Sequence, residues 1–63
     1  MATEAEHYEM AKRHIAEAEE GIGRQREIVA KLTAAGGDVS VAQALLDTME
    51  ESLDTMRVHL RQN

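Results

Sequence analysis

The sequence has no cysteine, proline, tryptophan or phenylalanine, and its only aromatic residue is Tyr8. Without cysteine there is no disulfide framework and no thiolate metal site, a pattern that fits a reducing compartment. A single aromatic ring leaves base stacking on nucleic acid almost without a platform. Apolar runs never exceed three residues, far short of the roughly 20 that cross a bilayer. The opening Met1-Ala2-Thr3-Glu4-Ala5-Glu6 is acidic, the reverse of the basic start and apolar middle of a secretory signal. A soluble, cytoplasmic protein is expected.

Short length is a further constraint. Sixty-three residues make one small domain, below the size at which a single core is usually self-sufficient. The net charge of −5 disfavours non-specific binding to nucleic acid or anionic membrane, both of which need excess Lys and Arg. Charge is uneven, however: Arg24, Arg26 and Lys31 have only Glu27 among them, while Asp47, Glu50, Glu51 and Asp54 crowd the second half.

What the chain does have is helix formers: Ala, Glu, Leu, Arg and Met dominate, and no run alternates as a strand would. Its one turn signal is Ala34-Ala35-Gly36-Gly37-Asp38. Two glycines allow the left-handed geometry that ends a helix. Asp38, or Ser40 with Gln43 three residues on, can cap the helix that follows. The chain reads as an all-α antiparallel helical hairpin, one domain over residues 1–63, with a helix over about 3–35, a turn at about 36–38 and a helix over about 39–61.

In the first helix Thr3 with Glu6 forms a capping box. Tyr8, Ile15, Ile22 and Val29 fall at heptad position a, and Ala11, Ala18, Gln25 and Leu32 at d. Three i,i+4 ion pairs are expected outside this seam: Glu9–Arg13, Glu20–Arg24 and Glu27–Lys31. In the second helix Val39, Leu46, Leu53 and Leu60 take a, and Ala42, Met49 and Met56 take d. Folding about the turn sets Leu32 beside Val39, Val29 beside Ala42 and Gln25 beside Leu46. Ile22 then meets Met49, Ala18 meets Leu53, Ile15 meets Met56, and Ala11 meets Leu60. On the g flank the same register pairs Ile28 with Leu45, Gly21 with Ser52 and His14 with His59. Each apolar stripe is wider than one neighbour covers, and isolated two-helix units are marginal in water. Two hairpins are therefore expected to dimerise into a four-helix bundle with Ile15, Ile22, Gln25, Val29, Leu32, Leu45, Leu46, Met49, Leu53, Met56 and Leu60 as its core.

His14-Ile15-Ala16-Glu17, then Arg24-Gln25-Arg26 with Ile28 and Leu32, lead into Gly36, Asp38, Ala42, Leu45-Leu46, the Met-Glu-Glu-Ser-Leu run from Met49 to Leu53, and His59. Together these residues resemble a group of short uncharacterised proteobacterial proteins. The resemblance implies a helical hairpin and carries no assigned activity; Gly23 departs from it, since the group shows a non-glycine residue there. In length and architecture alone, with no residue motif, the chain is also similar to the Rop-type RNA-binding bundles.

Several constellations invite a chemical reading. His14 and His59 are neighbours in the hairpin register, and imidazoles on adjacent helices can bind zinc or act as a pH switch; the plainer reading is two flank residues covering the seam edge. Glu4-x-x-His7 has the spacing of a di-iron bundle ligand pair but occurs once. Gln25, the one polar side chain in the seam, reads as a register-setting layer, its amide pairing with a symmetry mate, Glu50 or Ser52. Gly21-x-Gly23 lies inside helical periodicity, unlike a phosphate loop, and each glycine costs about 1 kcal/mol relative to Ala. Arg24, Arg26 and Lys31 can form a phosphate-contacting strip if doubled by a dimer.

No nucleophile–base pair and no cofactor motif stands out, and the carboxylates lie on open faces. The expected protein is a non-enzymatic homodimeric interaction or adaptor module without a cofactor. Its partners are a second copy of itself and another protein docked on a helical face. The alternatives are an RNA-binding regulator using Arg24, Arg26 and Lys31, and a histidine-based metal or pH sensor.

Overall fold

The structure, a computed structural model, describes residues 3–62. Two helices account for nearly all of them: α1, Glu4–Ala34, and α2, Ser40–Gln62. Thr3 stands outside α1 in extended backbone, and its hydroxyl accepts the Glu6 amide at 3.1 Å. That bond satisfies one of the four free N–H groups at the helix start, and Glu4 and Glu6 set negative charge against its positive dipole end.

The end of α1 shows why the turn residues matter. Gly36 has φ +74°. Its amide donates to the Thr33 carbonyl at 3.1 Å, and the Gly37 amide reaches back to the Leu32 carbonyl at 2.9 Å. This is the two-bond Schellman closure, which needs a left-handed residue just past the helix. Gly37 has no such backbone requirement, and a methyl there would make ordinary contact with Leu32, 3.5 Å from its carbonyl oxygen. Gly36→Ala is therefore expected to cost about 1–2 kcal/mol, and Gly37→Ala much less. Thermal melts of the two variants check this, and equal losses would refute it.

Asp38 caps α2 from two residues before Ser40, accepting the Ser40 amide at 2.9 Å and the Ser40 hydroxyl as well. Ser40 is thus inside the helix rather than its cap. Gln43 does not close a capping box on it, because its side-chain amide donates to Asp47 at 3.0 Å instead. The Ser40 hydroxyl and amide hold the Asp38 carboxyl below the usual carboxylate range. A carboxyl lowered in the folded state favours folding at pH above its unfolded pKa, and the contribution disappears as pH falls through the folded value. The melting-temperature gap between the parent and Asp38→Ala is accordingly expected at neutral pH and to close in strong acid.

The helices pack antiparallel along one seam. Ile22, Leu46 and Leu53 are buried at its centre, and Ile15, Ala18, Val29 and Met49 pack against them. Ala11, Leu32, Val39, Ala42, Met56 and Leu60 extend the half-buried stripe in both directions. Tyr8 departs from the expected seam and is 48% exposed. The reason is length: α1 has 31 residues and α2 only 23. At the hairpin register the residues of α1 before Glu9 lie beyond the end of α2 at Gln62, and Tyr8 has no layer partner among the described residues. Its ring instead receives the Lys12 ammonium, 5.0 Å from the centroid.

Gln25 also differs from expectation. It is buried at 9% exposure and donates its Nε2–H to the Ala42 carbonyl of α2 at 2.9 Å. A helical carbonyl keeps a second lone pair free for such a donor, so the polar layer closes within one hairpin. No buried side-chain nitrogen or oxygen is left without a partner among the described residues.

Candidate interaction face

The two edges of the hairpin differ in chemistry. In an antiparallel pair the e positions share one edge and the g positions the other. The e edge carries two cross-helix ion pairs, Arg57 to Glu19 at 2.8 Å and Arg26 to Glu50 at 3.6 Å. All four side chains are more than 40% exposed, so each pair contributes little energy and mainly favours this register. The expected i,i+4 pairs are not closed: Glu9 instead meets Lys12 at 3.3 Å, and neither Glu20–Arg24 nor Glu27–Lys31 forms an ion pair among the described residues.

The g edge is different. From α1 it presents His7, His14, Gly21 and Ile28; from α2 it presents Leu45, Ser52 and His59. None of these is Asp, Glu, Lys or Arg. Ile28 is 47% and Leu45 51% exposed, on the flank of the hairpin seam where the register sets them; Leu45, expected in the core of the bundle, is not covered within one hairpin. Met49, rather than Ser52, approaches Gly21: a methyl placed on Gly21 would lie 3.4 Å from the Met49 terminal carbon. A methyl on Gly23 would meet nothing within 4 Å, so no contact offsets the cost of that glycine.

Sequence reasoning missed the outer half of this edge. Val41, Leu45, Thr48, Ser52, Thr55 and His59 repeat at spacings of four and three residues, making a second, uncharged stripe on α2. Reading the heptad for a and d alone hides it; scanning each helix for a second charge-free stripe would have found it. Val41 is 83% exposed. The Thr48 and Thr55 hydroxyls bond to carbonyls of their own helix, Ala44 and Glu51, each at 3.1 Å. Their donors are thus satisfied before any partner arrives.

The three histidines line one groove at the open end, with Tyr8, Ile15 and Leu60 among its walls. Among the described residues no group of three or more His, Asp or Glu is placed to hold a metal ion. The Arg24, Arg26 and Lys31 strip is divided: Arg24 and Lys31 lie at c positions beside the g edge, whereas Arg26 is on the opposite edge, paired with Glu50. No helix among the described residues is long and apolar enough to cross a membrane.

The fold and its faces define a two-helix antiparallel hairpin with one ion-paired edge and one uncharged edge. No known protein family, curated protein or solved structure matches the chain. The likeness to short proteobacterial proteins is therefore without support from these comparisons, and the hairpin stands on its own geometry.

Proposed function

We propose that the protein is a non-enzymatic homodimeric interaction module, two hairpins forming a four-helix bundle in a bacterial cytoplasm. The observation that carries this reading is the surface left uncovered. The chain exposes 4958 Å², whereas a compact 7.0 kDa protein exposes about 4,000 Å² by size scaling. The excess of roughly 900 Å² matches the ~800 Å² each partner buries in a standard interface. The shape is the cause. The molecule is a rod of 50 × 16 × 16 Å with a radius of gyration of 15.0 Å, against about 10.6 Å for a compact chain of this length.

A non-enzymatic role is supported by where the titratable groups lie. The lowered Asp38 carboxyl is accounted for by capping α2, and among the described residues no Asp or Glu is buried. The division of the Arg24, Arg26 and Lys31 strip weighs against a phosphate-tracking surface. A dimer whose subunits fold only together has a melting temperature that rises with protein concentration. That rise is the expected result, and a melting temperature independent of concentration over a hundredfold range would count against the proposal.

A further inference from the structure

The uncharged edge also indicates how two copies meet. Of the six exposed large apolar residues among those described, Met10, Ile28, Val41 and Leu45 lie on the c and g positions of this edge, leaving Tyr8 on the overhang and Val58 on the outer face. Resting on the dimer reading above, we infer that two hairpins pair through this edge with their turns at opposite ends, α2 against α2 and α1 against α1.

Charge decides the occupant. A chain of net charge −5 repels its own copy across most of its surface, and an edge free of carboxylates from Leu45 to His59 is where a second copy meets least opposition. Desolvation costs little there, because the Thr48 and Thr55 hydroxyls are already bonded within α2. The excess surface of the rod is also of the size that one such face would bury.

Charge decides the direction as well. The only charged residues bordering this edge in the body of α1 are Glu17 on one side of Gly21 and Arg24 and Lys31 on the other. With the turns at opposite ends the two-fold axis crosses α1 near Gly21. Glu17 of one copy then lies beside Arg24 of the second copy, twice over, with no side chain on Gly21 to hold the α1 helices apart. On α2 the same axis passes near residue 50. Val41 then faces His59 of the second copy, Leu45 faces Thr55, and Thr48 faces Ser52: an uncharged stripe covering itself. With the turns at the same end, each α1 would instead lie across the other copy's α2. Glu17 of one copy and Arg24 of the second would then no longer lie side by side, and both copies of that pair would be lost.

Because the chain has no cysteine, single introduced cysteines report this geometry without interference. About the proposed axis, residue 52 of the two copies is about 6 Å apart along the helices, and residue 45 about 15 Å apart. A short thiol-to-thiol cross-linker is therefore expected to join Ser52→Cys to itself and to leave Leu45→Cys unjoined. It should also join Leu45→Cys to Thr55→Cys when the two variants are mixed.

In the same assay Leu45→Glu should weaken dimerisation by about a hundredfold, since the two-fold axis places the buried charge in the interface twice. Val58→Glu, on the outer face, should change it less than about threefold. Leu45→Cys joined to itself would overturn the opposed arrangement. A dimeric mass without cross-linking at Ser52→Cys would show that another face closes the dimer, leaving the dimer itself intact. A monomeric mass for the parent chain would instead remove the dimer, and this inference with it.

Discussion

Leu53→Ala is expected to unfold the protein at micromolar concentration and to abolish dimerisation. Leu53 is 6% exposed, packed in the seam with Ile22 and Leu46, and lies well inside α2, away from the fraying end. Truncating a buried leucine removes its transfer free energy and leaves a cavity that rigid neighbours only partly fill, at about 2–5 kcal/mol. The loss occurs once per subunit, so a dimer loses about twice that, against the 5–15 kcal/mol that small proteins usually hold in total. Among the described residues only three apolar side chains per hairpin are buried, which leaves little else to absorb it. Circular dichroism should show most of the helix lost at 25 °C. Arg13→Ala, on the exposed face of α1, should shift stability by no more than about 0.5 kcal/mol.

Leu46→Glu should be at least as damaging, through electrostatics rather than a cavity. Leu46 is 5% exposed, and its packing neighbours at the seam centre are Ile22 and Leu53. An ionised carboxylate placed there has no cation opposite it. The nearest arginines of the ion-paired edge, Arg26 and Arg57, are already paired with Glu50 and Glu19. Burying such a charge costs several kcal/mol unless the group takes up a proton. The variant should therefore be unfolded at pH 7 and regain helix as pH falls and the carboxyl is neutralised. Helix content that is unchanged from the parent at pH 7 would show that residue 46 is not buried. The same substitution one residue earlier leads to a different outcome. A rotation of about 100° per residue carries Leu45 out of the seam to the uncharged edge, where a charge acts on association first.

The seam was legible because its signal is redundant. Spacings of three and four, from Ala11 to Leu32 and from Val39 to Leu60, agree with a single turn, and only one register satisfies both helices. The Gly36 closure was legible for a similar reason: few residues but glycine accept its backbone. Other features depend on choices that residue spacing does not encode. Arg26 could pair along its own helix or across the seam, and side-chain reach settled it for Glu50. Gln25 could bond to a side chain or to a backbone carbonyl, and only the approach of the two helices put Ala42 within range. Tyr8 matched the heptad in spacing but not in extent, because nothing in α1 records where α2 stops. The Val41-to-Thr55 stripe was overlooked for another reason: threonine and serine read as polar in the sequence, whereas in α2 the two threonine hydroxyls are turned back onto its own carbonyls.

Whether this hairpin is half of a bundle, as proposed, is decided by its mass in solution. Sedimentation equilibrium on the intact chain at micromolar concentration measures the mass in solution without reference to shape, which matters for a rod 50 Å long. A mass of about 14 kDa is expected, twice the 7.0 kDa of one chain, as the symmetric pairing of two small subunits requires. A single species at 7.0 kDa that retains full helix content would contradict it.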